Sequence, residues 1–294
     1  MQLPGNRIGA YWAAGMSPFD AVAHSFTTVS TGGNSTRDES LAYFDNPLIE
    51  LIAVVFMFIG AVNFSLHFLA WRSRRLSSYV RDPEFMAYVR ILAIAILGYT
   101  LVLWLTRFVH EPGDALRRAL FHAVSMQTTS GFVTEDFTSW PGALPVILIL
   151  SAFVGGCAGS TSGGMKMVRW LLLWKQGQRE VTQLVHPNAE LPVKLGAKPM
   201  DKRVIDAVWG FFAVYVVSFG ILMVAMLATG EDQVTAFSAI AACMTNAGTG
   251  LADVATNFTS LTNAGKWICI LAMLLGRLEV FPLLVLVSRT FWRK

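Results

Sequence analysis

Residues 48–71 read LIELIAVVFMFIGAVNFSLHFLAW, an apolar run longer than the roughly 20 residues that cross a ~30 Å hydrocarbon core. The pattern recurs in Ile91–Val109, with an alternative start at Tyr88, and in Trp209–Ala228 and Trp267–Ser288. A fifth stretch, Leu144–Trp174, is interrupted by GGCAGSTSGG. Of the 294 residues only 14% are charged and 54% are hydrophobic, whereas a soluble domain carries about a quarter charged. Lipid offers the backbone no hydrogen bonds, so spans of this length are helices. The expected fold class is an all-α polytopic membrane protein. The opening MQLPGNRIGAYW lacks the apolar core of a cleavable signal peptide.

Charge sets the topology. Arg72, Arg74, Arg75 and Arg81 follow one span; Lys175, Arg179, Lys194, Lys198, Lys202 and Arg203 lie between two others; Arg289, Arg293 and Lys294 end the chain. The positive-inside rule puts these three segments on the cytoplasmic side. The acids Asp20, Asp38, Glu39, Asp45, Glu111, Asp114, Glu135, Asp136, Glu231, Asp232 and Asp253 fall in the other connections, which therefore face out.

Those outer connections form an internal repeat: SPFDAVAHSFTTVSTGGNS, EPGDALRRALFHAVSMQTTSGFV and GEDQVTAFSAIAACMTNAGTGL, aligned on Gly32, Gly131 and Gly248. Each opens on helix-start chemistry, Ser17-Pro18 with Asp20, Glu111-Pro112 with Asp114, or Glu231-Asp232. About three apolar turns follow, too short to span, then a polar run with Gly, then a span. The expected units are residues 1–75 (short helix, polar run, span), 84–175 (second repeat with an interrupted span) and 201–294 (third repeat), with 176–200 as a cytoplasmic linker. Polar backbone at membrane depth is tolerated only beside water or buried in protein. A re-entrant helix entering from outside turns its negative C-terminal end to the membrane centre, which favours a cation. The residues after it can offer backbone carbonyls in place of a hydration shell. None of the polar runs carries a charge, as suits a monovalent ion held by dipoles. Three units running the same way argue against a transporter built on inverted repeats, although a secondary cation transporter coupled to Na+ or H+ stays open as the second reading.

GGCAGSTSGG places five glycines and three hydroxyls inside a span, and each Gly costs a helix about 1 kcal/mol relative to Ala. The span is expected to unwind there and to lie in the ion path beneath the polar runs. Arg277, within the last span, needs a partner; its neighbour Glu279 is on another helix face. It either bonds the loop carbonyls of 155–164 and faces the pore, or pairs with another helix. Pro282 is expected to kink the same span. Lys166 and Arg169 either snorkel to the cytoplasmic interface or act on the loop. Asn63 and His67, four residues apart, either line the pore or make a helix–helix hydrogen bond. The segment HPNAELPVKLG is a docking surface or a plain linker. Cys157, Cys243 and Cys269 have no metal-type spacing and read as buried small apolar residues. No nucleophile–base pair appears, and no GKS or GKT follows the glycines, so enzyme chemistry and a phosphate loop are disfavoured. No basic stripe suggests nucleic acid as a partner.

The stretches FTTVSTGG (26–33), YFDNPLIEL (43–51), VSMQTTSGF (124–132), GGCAGSTSGGMKMVRWLLL (155–173), HPNAELPVKLG (186–196), VWGFF (208–212) and LAMLLGRLEVFPLLVL (271–286) resemble the Trk/Ktr/HKT superfamily of potassium transporters, closest to the membrane subunits of bacterial Trk systems. The resemblance implies a pore in the cytoplasmic (inner) membrane that takes up potassium, works as a homodimer and is gated by TrkA-like nucleotide-binding regulatory subunits. It implies parallel span–pore helix–span repeats around a pseudo-fourfold axis, with no cofactor bound beyond potassium itself. The filter it implies is formed by Ser30, Thr31, Gly32 and Gly33, by Thr129, Ser130, Gly131 and Phe132, and by Asn246, Ala247, Gly248 and Thr249. The gate it implies is Gly155, Gly156, Gly159, Ser160, Thr161, Ser162, Gly163 and Gly164, with Arg277. Family members have four repeats where this chain shows three, and Met1–Gly15 is too short for a full first span. Asn34 stands where an aromatic is usual, and Thr249 where Pro is common. The chain is therefore expected to be part of a longer protein or a non-conducting truncated piece of one.

Overall fold

The computed structural model describes residues 5–187, 189, 191–278, 285 and 289–292. Helix α1 (Gly5–Ala13) leads into the short helix α2 (Pro18–Val29), followed by α3 (Pro47–Gly60), α4 (Phe64–Ser73) and α5 (Ser77–Arg81). The second unit comprises the long α6 (Pro83–Leu105), the short α7 (Pro112–Gln127), α8 (Leu144–Val154) and α9 (Met167–Val185). A two-stranded hairpin, β1 (Lys194–Leu195) and β2 (Lys198–Pro199), precedes the long α10 (Lys202–Leu227), the short α11 (Gln233–Thr245) and α12 (Asn263–Arg277). Each short helix packs against the helices before and after it: α2 against α1 and α3, α7 against α6 and α8, α11 against α10 and α12.

Local chemistry starts the short helices as the sequence suggests. Ser17 Oγ accepts the Asp20 N–H ahead of Pro18. Pro112 opens α7 with Asp114 in its first turn. The Asp232 carboxylate accepts the N–H groups of Val234 and Thr235. Residues 12–16 long, these helices cannot span a bilayer, whereas α6 and α10 can.

Three expectations need correction. Leu48–Trp71 is not one straight span: it breaks at 61–63 and α4 turns 92° away from α3. Asn63, at the break, caps α4 by accepting the Ser65 N–H at 2.8 Å, so it is not on a pore-lining helix face. His67 makes the helix–helix bond instead, joining the Ile59 carbonyl to the Tyr79 hydroxyl. The all-α expectation omits the hairpin, in which Lys194 pairs with Pro199 and Leu195 with Lys198 around a left-handed Gly196. The linker thus contains a small ordered element. The three cysteines are buried, as expected. Glu279, the Pro282 kink, Arg293, Lys294 and, in the linker, Asn188 and Glu190 lie outside the described residues.

Among the outer acids, Asp20 is fully engaged within the protein. It is buried, accepting hydrogen bonds from the hydroxyls of Thr36 at 2.6 Å and Ser17 at 2.8 Å, with Arg37 at 3.8 Å. Glu135 and Asp136 are similarly engaged, Glu135 with Arg118 and Trp140 Nε1, Asp136 with Thr138. Thr36 first, and Ser17 after it, hold the Asp20 carboxyl below the usual carboxylate range; burial opposes them and Arg37 adds to them. A lowered folded pKa gives stability that is present above the ordinary carboxylate range and is lost as pH falls through the folded value. Asp20→Asn is therefore expected to lower the thermal unfolding temperature at neutral pH, and the gap to the unsubstituted protein should close as the pH is taken down through the acid range.

Candidate functional site

The three short helices end in one backbone motif. Thr31, Thr129 and Asn246 take left-handed φ values of 49°, 56° and 61°. Their N–H groups bond back three residues, to Thr28, Met126 and Cys243. The next N–H groups, of Gly32, Ser130 and Ala247, reach back five residues to the carbonyls of Thr27, Ser125 and Ala242, at 2.8–3.0 Å. This is the Schellman ending of a helix. Two residues after each left-handed position comes a glycine with positive φ: Gly33 at 62°, Gly131 at 72° and Gly248 at 83°.

That geometry corrects the repeat alignment. Gly33, not Gly32, is equivalent to Gly131 and Gly248, because the helix ending uses up one more residue after α2 than the sequence pattern suggests. Thr31-Gly32-Gly33 matches Thr129-Ser130-Gly131 and Asn246-Ala247-Gly248.

The segments also touch in sequence around one side. A Cβ on Gly33 would stand 1.7 Å from the Ser130 carbonyl oxygen, and one on Gly131 would stand 1.6 Å from the Ala247 oxygen. The space a side chain needs at each glycine is filled by the next segment's carbonyl. Beside Gly248 nothing lies within 4 Å. Accordingly the middle segment is wholly buried, while Gly32 and Gly248 at the two edges are exposed.

Hydrogen bonding separates the candidate oxygens. The Ser30 carbonyl accepts the Thr31 hydroxyl at 2.7 Å, and the Phe132 carbonyl accepts Ser125 Oγ at 2.6 Å. Phe132 itself is buried, stacked on His24, whose Nε2 meets Ser35 Oγ at 2.9 Å. Ser30 and Phe132 are thus poorer candidates than the sequence suggested. Among the described residues no hydrogen bond falls on the carbonyls of Thr31, Gly32, Gly33, Thr129, Ser130, Gly131, Asn246, Ala247, Gly248 or Thr249. Three adjoining runs of unsatisfied carbonyl dipoles are what a dehydrated cation needs and what lipid would penalise.

Beneath them lies the glycine-rich segment. α8 ends at Val154 and α9 begins at Met167, so 155–166 is unwound as the sequence predicts. The loop bonds to the ends of all three short helices. Thr161 Oγ1 donates to the Val29 carbonyl at 2.9 Å, the Gly163 N–H to Thr129 Oγ1 at 2.6 Å, and the Gly164 N–H to the Thr245 carbonyl at 3.1 Å. It also takes the carbonyls freed by the break after α3: Thr161 bonds Gly60 O, and the Cys157 N–H bonds Ala61 O at 2.8 Å. Glycine is required by close approach at Gly155, Gly156, Gly163 and Gly164. A Cβ on Gly163 would stand 2.1 Å from Thr245 O, and one on Gly156 would stand 2.6 Å from Ala61 O.

Arg277 donates to the Thr161 carbonyl at 3.1 Å, so the loop-carbonyl reading holds over pairing with another helix. Lys166 does not share a helix face with Arg169. It precedes α9 at φ 74°, and its ammonium turns back to the Ser162 and Ser160 carbonyls. The Arg169 guanidinium lies 4.1 Å over the Phe211 ring and bonds Met165 O. Sequence reasoning missed Gly60 and Ala61; the Gly60-Ala-Val-Asn63 break, with its capping Asn, was the available signal. It also missed Gly276, whose missing Cβ makes room for Met244 O.

The sequence profile of the TrkH cation transport protein family matches residues 8–294. The chain belongs to that family. Trk system potassium uptake proteins TrkH of Halomonas elongata and Escherichia coli K12 are 50% and 48% identical over 285 residues, 97% of this chain and 59% of each relative. The crystal structure of the potassium transporter TrkH from Vibrio parahaemolyticus superposes with a TM-score of 0.95 at 48% identity, over 99% of this chain and 63% of that one. The chain thus spans about three fifths of the length of these relatives.

Gly131→Ala joins a strained φ to a backbone collision, whereas Gly98 in α6 has nothing within 4 Å of its Cβ position. Gly131→Ala should lower the unfolding temperature in detergent, and Gly98→Ala should leave it unchanged or raise it, by about 1 kcal/mol of helix propensity. Equal shifts in differential scanning fluorimetry would contradict the packing described.

Proposed function

We propose that this chain forms most of the wall of a potassium-uptake pore of the cytoplasmic membrane, in which the three glycine segments are the selectivity filter and residues 155–164 with Arg277 are the gate beneath it. One observation carries the reading: three runs of unbonded carbonyls adjoin one another directly above a loop hydrogen-bonded to all three helix ends. The related proteins' role in potassium uptake agrees with it. Potassium sits among the carbonyls of Thr31–Gly33, Thr129–Gly131 and Asn246–Gly248, with Thr249 at the outer margin of the third run. Dipoles rather than carboxylates coordinate it, which suits a monovalent ion.

The open side beside Gly248 is, on this reading, the place of a fourth wall around a pseudo-fourfold axis, and the units 1–75, 84–175 and 201–294 are three parallel repeats. The linker 176–200, with its hairpin, faces the cytoplasm and receives nucleotide-binding regulatory subunits; the whole protein works as a homodimer. In the closed state the loop blocks the path below the filter, and Arg277 adds a positive charge where a cation would leave it.

In the whole protein reconstituted in liposomes, a bulky residue at Gly131 should abolish selective potassium uptake; unchanged uptake and selectivity would rule out the filter. Removing 160–162, or Arg277→Ala, should raise basal potassium flux by about tenfold, since each removes bonds worth on the order of 1–2 kcal/mol to the closed loop. Unaltered basal flux in both variants defeats the gate assignment.

A further inference from the structure

Glu84, the second residue of α6, is buried at 7% exposure and belongs to none of the motifs that define the pore. One oxygen, Oε1, accepts two backbone N–H groups, that of Ala158 at 2.6 Å and that of Val168 at 3.1 Å. These lie 74 and 84 residues away along the chain. Ala158 is near the start of the unwound segment, and Val168 is in the first turn of α9 just past its end. Both ends of the loop are therefore tied to a single carboxylate on a third element. Between them lie Thr161, Gly163 and Gly164, which bond to the short helices.

The start of α6 is itself fixed. The Asp82 carboxylate caps it by accepting the Phe85 N–H at 2.8 Å. Pro83 packs under the hairpin turn, where a Cβ on Gly196 would touch its ring at 3.4 Å. The hairpin is tied to α9 in turn by Lys175 Nζ, which donates to the Lys194 carbonyl at 2.8 Å. Glu84 is thus a rigid anchor set where the cytoplasmic linker meets the loop.

We propose that Glu84 is the positioning residue that holds the loop shut: its carboxylate clamps the two ends of 155–166 so that the residues between them stay against the filter helices. The proposal rests on the gate reading above. The base of the loop thus depends on one side-chain oxygen that accepts two backbone N–H groups. Removing the acceptor takes the protein partner from both N–H groups of these part-buried bonds at once. The closed arrangement alone brings Ala158 and Val168 to one oxygen, so losing it penalises the closed state selectively. Opening then requires that the loop ends leave Glu84, as a push on the hairpin beside Pro83 would bring about. That places the carboxylate at the base of the gate.

The test is potassium flux through the whole protein in liposomes without regulatory subunits, comparing E84A, E84Q and the variant lacking 160–162, with rubidium and sodium flux read alongside. E84A should raise basal potassium flux about tenfold or more, and E84Q, which keeps a neutral acceptor, should fall between E84A and the unsubstituted protein. Selectivity should not change, because no filter residue is touched. A merely structural role would lower flux and yield together. If E84A does not fold, E84Q decides: flux above the unsubstituted level supports the clamp, and an unchanged level overturns it. Leak in the shortened variant with none in the Glu84 variants rejects the clamp but keeps the gate. Absence of leak in all of them rejects the gate reading and the clamp with it.

Discussion

Backbone groups in a bilayer must find partners inside the protein, and this chain creates an unusual number that need them. Three short helices end inside the protein, one apolar stretch breaks after Gly60, and a second unwinds over 155–166. Each orphan carbonyl or N–H would cost several kcal/mol in hydrocarbon. The structure answers by making these defects satisfy one another. The loop's N–H and hydroxyl donors meet the carbonyls of Val29, Gly60, Ala61 and Thr245, and the Thr129 hydroxyl meets Gly163.

What remains unsatisfied is therefore informative. After the mutual bonding, the carbonyls of the three glycine segments accept no hydrogen bond among the described residues. A native protein keeps such groups unpaired where a ligand or ordered water supplies the partner. The same geometry explains the residue choice. Thr31, Thr129 and Asn246 accept a left-handed backbone to close the helix, and Gly33 and Gly131 leave room for the neighbouring carbonyl. The glycine segments and the loop thus share one set of helix ends: a loop that leaves those ends also leaves the hydrogen bonds of the helices that carry the segments.

The local signals were readable in the linear chain. The N-caps Ser17 and Asp232, Pro112 at the start of α7, and the unwinding at GGCAGSTSGG depend on residues within a turn of each other, and the structure keeps them. The errors came from longer reach. Aligning on Gly32 fails because both glycines of the pair look alike in sequence, and only the bond from Gly32 N–H to Thr27 O tells which of them follows the left-handed residue. The straight reading of 48–71 fails because hydropathy cannot see that Gly60 and Ala61 must lend their carbonyls to a loop about a hundred residues later. An acid just after Pro83 looks like an ordinary first-turn residue. Nothing near it points to Ala158 or Val168.

By itself the sequence determined that the chain carries membrane-length apolar helices, where three short helices begin, and that one span cannot stay helical, since all of these follow from hydrophobic length, capping residues and glycine content over a few turns. Only the tertiary structure decided which carbonyls are consumed and which stay open, that Arg277 reaches Thr161, and that one Glu84 oxygen gathers both ends of the loop. Those are pairings between distant segments. Many partners would satisfy a given donor equally well, and the choice is made by which helices pack together.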